Sequence, residues 1–154
     1  MLQEELEMVE YPLSFSSETV AKSGTAGTWV TKSDEGSSEC CVPVIFSGSG
    51  RALSPEDLFN HALTNCFIAT FKVYAEKSKL NFDSVTADSH LVVEKDKNTD
   101  KVTMKSIKID VKIFNPSDPK KARTLAEKAS KDGFILNSVK TDLHFTFKTE
   151  RNEI

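Results

Sequence analysis

Apolar residues follow two rhythms along this chain, and each change of rhythm marks an element. From Val9 they alternate: Val9, Tyr11, Leu13 and Phe15 share one parity, which predicts a strand. Ser23 to Gly27 is turn-like and Thr28 to Thr31 resumes β character, so these runs predict a hairpin. Polar residues from Ser33 to Ser38 predict a turn. A short apolar run follows, Cys40 to Phe46, interrupted by Pro43. After the loop Ser47-Gly48-Ser49-Gly50, the rhythm becomes helical from Ser54 to Lys79. Ser54 suits the N-cap, Pro55 the first helical position, and Asp57 stands where a capping box has its acidic partner. Apolar positions then include Leu58, Phe59, Ala62, Leu63, Cys66, Phe67, Ile68, Ala69, Phe71, Val73 and Tyr74. That stripe is too wide for one partner, and it predicts a central helix buried nearly all round.

Beyond the helix, Val85 to Val93 predicts a strand and Asp96 to Asp100 a polar turn. The next strand carries Val102 and Met104, then Ile107, Ile109, Val111 and Ile113; the change of parity predicts a bulge near Lys105 and Ser106. Asn115 to Pro119 breaks the strand and starts a second helix. Its narrow apolar face is Ala122, Leu125, Ala126 and Ala129, and Gly133 is expected to end it in a left-handed conformation. A short apolar segment, Phe134 to Ser138, precedes a last strand in which Thr141, Leu143, Phe145 and Phe147 alternate with polar residues. The order β-β-β-α-β-β-α-β predicts an α+β fold with antiparallel sheets around the long helix. It reads as a single domain over 1–154: a β-rich part at 1–50, the central helix at 54–79, and a ββαβ part at 82–154.

Composition narrows the function classes. A chain of 154 residues can bury a real core, and a net charge of -3 gives no basic patch for nucleic acid. No run approaches the ~20 apolar residues of a membrane span. The N-terminus lacks a basic region leading into an apolar run, so no signal peptide is expected. Three cysteines form no disulfide framework, which points to a reducing cytoplasm. His61, His90 and His144 lack metal-site spacing, so neither a metal nor another cofactor is expected. Cys40 and Cys41 are adjacent and read as small β residues, with a redox role as the alternative. Cys66 is the sharper candidate, a thiol in the middle of the long helix. The plain reading is inert packing, and the positive end of the helix lies more than two turns away, so a nearby cation would be needed to activate it.

The run S-P-E-D-L-F-x-x-A-L-x-x-C-F (Ser54 to Phe67) resembles the OsmC/Ohr family of thiol-dependent peroxidases. Pro43 to Gly48 resembles the family's approach to this helix. The run A-E-K-A-x(3)-G-F-I-x-N-S (Ala126 to Ser138) is similar to the segment that carries its second cysteine. The resemblance implies an OsmC-like homodimer of two intertwined chains, with the long helices packed at its centre. It implies reduction of organic hydroperoxides or hydrogen peroxide: a thiolate attacks the O–O bond, becomes a sulfenic acid, and condenses with a second cysteine to a disulfide that a dithiol or small thiol then reduces. An arginine activates the thiolate and a glutamate holds the arginine. By position, Cys66 would be the nucleophile and Glu56 the orienting carboxylate. The plain reading of Glu56 is an acidic residue favoured in the first helical turn.

Two positions depart from that pattern. Gly133 stands where the family has its second cysteine, and Thr25 where the Ohr branch has its arginine. Arg51, in the loop before the helix, is the best remaining candidate to stabilise the thiolate; the alternative is a solvated loop residue. Glu56 and Cys66 are ten residues apart, about 15 Å along a straight helix. Either the helix breaks near its start or Glu56 serves the Cys66 of a second chain. Two functions are expected from these features. One is a one-cysteine hydroperoxide reductase with an external thiol as resolving partner. The other is an inactive family member that binds an apolar small molecule at the dimer interface.

Overall fold

A computed structural model describes residues 9–152. The acidic start of the sequence and its last two residues lie outside this range. The chain divides into two compact units after Phe59.

The N-terminal unit holds one antiparallel sheet in the order β1-β2-β3, formed by β1 (Glu18–Val20), β2 (Trp29–Ser33) and β3 (Gly36–Cys40). The expected strand from Val9 to Phe15 is not formed; Phe15 is 92% exposed, and Val9, Tyr11 and Leu13 are exposed too. An alternating pattern states which face a strand would bury, but it supplies no neighbour to pair with. The third strand begins inside the expected polar turn. Ser33 faces Gly36, so the turn shrinks to Asp34 and Glu35, and pairing with β2 overrides the weak β character of Gly-Ser-Ser-Glu. Past β3 the chain closes on itself: Cys41 N donates to Leu53 O at 2.9 Å and Leu53 N to Glu39 O at 3.2 Å. The enclosed loop needs its glycine, because a Cβ on Gly48 would lie 1.6 Å from the Val42 carbonyl oxygen.

Helix α1 (Pro55–Lys77) starts as its sequence predicts. Ser54 Oγ accepts from Asp57 N at 3.1 Å and Asp57 Oδ2 accepts from Ser54 N at 2.9 Å, a reciprocal capping box. The helix is unbroken, which removes the possibility of a break near its start.

In the C-terminal unit, β4 (Ser84–Lys95), β5 (Val102–Phe114) and β6 (Asp142–Glu150) form a sheet in the order β4-β5-β6. The expected bulge is present. Val92 pairs with Ser106 and Val93 with Met104, so Lys105 is the extra residue. The sheet is not wholly antiparallel, however, because β6 runs parallel to β5. Helix α2 (Pro119–Asp132) lies between them and returns the chain to the end where β5 began, which forces the parallel sense. Asp118 caps α2 by accepting from Lys121 N at 3.0 Å.

Ile107, Ile109, Val111 and Ile113 are buried on one face of β5. Leu63, Phe67, Phe71 and Tyr74 of α1 form the matching stripe, and the Phe67 ring lies 5.5 Å from Phe145 and 6.1 Å from Phe147. Ala122, Ala126 and Ala129 are the buried face of α2. The expectation that α1 is buried nearly all round fails within one chain. Ala69 and Val73 are exposed, and Ala62, Cys66 and Ile68 are only partly covered, because the sheet reaches one side of the helix. Replacing Phe67 with Ala should cost about 3–5 kcal/mol, the range for emptying a buried aromatic site; denaturant unfolding of Phe67→Ala against wild type measures it.

Candidate functional site

Cys66 is half-buried, about a quarter-turn round α1 from Phe67 and the sheet-facing stripe. Its neighbour in space is Gly133, the first residue past α2. A Cβ placed on Gly133 would lie 2.6 Å from Cys66 Sγ and 3.1 Å from Leu136 Cδ1. The backbone at 133 thus rests on the sulfur, and glycine is required there by contact. The expected left-handed conformation is not adopted: Gly133 has φ −62° and ψ 133°. The capping role read from the sequence therefore gives way to a steric one. Among the described residues of this unit, none hydrogen-bonds the Cys66 sulfur.

Leu136 is buried, and Asn137 N donates to Gly133 O at 2.9 Å, which fixes the far side of this turn. On its near side Tyr74 O–H donates to Asp132 Oδ2, and Lys128 Nζ stands 5.2 Å from the centre of the Tyr74 ring. Sequence reasoning missed Tyr74 and Asp132. The available signal was a tyrosine on an otherwise apolar stripe, since a buried phenol needs an acceptor.

The remaining candidates lie in the N-terminal unit. Glu56 is in the first turn of α1, and its Oε2 is buried with no hydrogen-bond partner among the described residues. Thr25 is exposed between β1 and β2, and Arg51 is exposed in the loop before α1. Cys40 and Cys41 are buried free thiols; Cys41 Sγ donates to Ala52 O at 3.1 Å, in keeping with a packing role. In the C-terminal unit, His61, His90 and His144 are all exposed. Among the described residues no cluster of His, Cys, Asp or Glu could hold a metal ion, and no helix is long and apolar enough to cross a membrane. A hollow of about 40 Å³, lined by Ile113, Pro119, Arg123, Phe147, Lys148 and Thr149, has room for little more than water.

The Gly133 contact can be tested by adding atoms to it. Gly133→Ala should destabilise the fold by about 1–3 kcal/mol, the range for overpacking. Gly133→Cys places a second Cβ near the disulfide range, since an S–S bond of ~2.05 Å puts a Cβ roughly 3 Å from the partner sulfur. Mild oxidation of Gly133→Cys should form an intramolecular bridge between Cys66 and the introduced thiol, detected by peptide mass mapping and absent when Cys66 is also replaced. If the added thiol and Cys66 stay unpaired under oxidant, the contact is wrong.

The sequence pattern of the family described as OsmC-like protein matches residues 48–148, which include Cys66 and Gly133. No curated protein matches the chain. Solved structures share its fold at low identity. An OsmC-like protein of unknown function from Vibrio cholerae O1 biovar eltor is 17% identical with a TM-score of 0.78, over 89% of this chain and 100% of that one. An organic hydroperoxide resistance protein from Elizabethkingia anophelis is also 17% identical, with a TM-score of 0.68 over 94% and 100% of the two chains. The organic hydroperoxide resistance protein OhrB of Bacillus subtilis is 16% identical, with a TM-score of 0.64 over 90% and 98%. With its family pattern matched across most of its length and its helices and sheets arranged as in these structures, the chain belongs to the OsmC-like protein family.

Proposed function

We propose that the protein is a one-cysteine hydroperoxide reductase acting through Cys66. The observation that carries this reading is the contact between Cys66 Sγ and position 133. A thiol in inert packing would be enclosed by side chains; here a half-buried sulfur meets a bare backbone position. The Cys66 thiolate attacks the O–O bond of an organic hydroperoxide. One oxygen is transferred to sulfur, giving a sulfenic acid, and the other leaves as the alcohol after taking up a proton. Gly133 offers no thiol, so an external thiol condenses with the sulfenic acid, releasing water, and a second thiol reduces the mixed disulfide. The apolar residues near this position, Phe134, Ile135 and Leu136, favour an organic peroxide over a small hydrophilic one.

A homodimer completes the proposal. Val44, Ile45 and Phe46 are exposed together, with Ile45 83% exposed, and the unpaired Val9 to Phe15 segment exposes its apolar parity. On α1, Ala69 and Val73 are also uncovered. A second copy of the chain is the proposed cover. Its cation would satisfy Glu56 Oε2, whose desolvation without a partner costs about 1–3 kcal/mol. Glu56 then serves Cys66 in trans, and Arg51 is the candidate thiolate stabiliser.

A second reading keeps the fold without catalysis, with Cys66 lining a site for an apolar small molecule. The absence of a thiol at Gly133 favours it. Hydroperoxide assays separate the two. With dithiol or monothiol reductants, the wild type should consume cumene hydroperoxide and Cys66→Ser should not; equal inactivity of both supports the binding reading. The trans site has its own test. Cys66→Ser and Glu56→Gln, each impaired alone, should recover about a quarter of wild-type activity when co-folded, because half the dimers are mixed and each mixed dimer has one intact site. No recovery would assign Glu56 to its own chain or to the helix start.

A further inference from the structure

Tyr74 is the polar-tipped member of the stripe that α1 commits to the core, and it is 4% exposed. Its hydroxyl donates to Asp132 Oδ2, a residue 58 positions away. Burial and the adjacent Asp132 carboxylate push its phenol far above the ordinary range, so it remains a proton donor at physiological pH. Asp132 is the last residue of α2, and the next residue is Gly133, which rests on the Cys66 sulfur. Lys128, one turn earlier on α2, sits over the same tyrosine ring. Tyr74 and Cys66 project from one helix, about 12 Å apart along its axis. Helix α1 therefore acts as a ruler. It grips the end of α2 at Tyr74, and the chain leaving α2 is laid across the sulfur two turns back.

We propose that Tyr74 and Asp132 are positioning residues for Cys66: their hydrogen bond latches the Gly133 backbone against the sulfur and governs its orientation and its access to thiol-sized reagents. A small oxidant reaches the partly buried Cys66 with the latch closed. A bulky thiol or disulfide needs Gly133 to move. The importance of this access rests on Cys66 being the reacting group proposed above, but the latch is measured by thiol reactivity, which does not depend on peroxidase turnover.

The test uses the full, reduced chain and two probes, methyl methanethiosulfonate as the small one and dithiobis(nitrobenzoate) as the bulky one, with modified sites located by peptide mass mapping. Tyr74→Phe and Asp132→Leu, which removes the acceptor, should each raise the rate of Cys66 with the bulky probe by about tenfold or more, the effect expected for losing one hydrogen bond to a charged group. The small probe should gain much less. The double variant should gain no more than either single one, because both remove the same bond. General loosening would instead raise both probes together and expose buried Cys40 and Cys41. Labelling that spreads to these cysteines in step with Cys66, or an unchanged ratio of the two rates in the single variants, overturns the proposal. Should Tyr74→Phe not fold, Asp132→Leu decides the matter alone, since its side chain has about the same size and no acceptor.

Discussion

The packing of one stripe of α1 onto the sheet is the interaction on which the rest depends. Leu63, Phe67, Phe71 and Tyr74 are buried, as is the isoleucine-rich face of β5, and the Phe67 ring packs against Phe145 and Phe147 of β6. Each such side chain contributes about 1.5–3 kcal/mol when fully buried, more than the net value of a typical hydrogen bond. That stripe fixes the rotation of α1. Once Phe67 points into the sheet, the preceding residue must point about 100° away, so Cys66 stands beside the core. The alanine face of α2 allows its own close approach to the core, and its last residues then reach the cysteine.

Much of this was legible in the sequence because each signal was local and periodic. The capping box at Ser54 and Asp57 needs only three residues of spacing. The bulge at Lys105 appears as a parity change within one strand. Cys66 and Gly133 were singled out by resemblance, and they meet in space. What was not legible depended on partners outside the local pattern. The sense of β6 is set by the length of chain between it and β5, and periodicity carries no direction. The pattern from Val9 to Phe15 promised a strand without naming a neighbour. Gly133 was read through its backbone freedom, while its role follows from a sulfur that comes from another helix. The Tyr74–Asp132 bond joins positions that no spacing rule relates.

Position 133 also shows how a hydrogen side chain lets backbone rest directly on a sulfur. The sulfur and the backbone that could carry a second one remain in contact. The hydrogen side chain there leaves no void, because the sulfur itself fills the space a Cβ would take. Glu56 Oε2, buried and without a donor among the described residues, is an unsatisfied demand of a different kind, since a buried acceptor without a donor persists only where something else compensates it.

The order of synthesis gives the parallel strand β6 a further consequence. Helix α1 leaves the ribosome well before the residues that cover it, because Phe145, Phe147 and Gly133 all follow two complete strands and a second helix. Until β6 docks alongside β5, the phenylalanine stripe and the thiol beside it share one open surface. A nascent or partly translated chain therefore exposes both apolar side chains and the cysteine that the finished fold covers. The long-range contacts that finish the core also end that exposed interval.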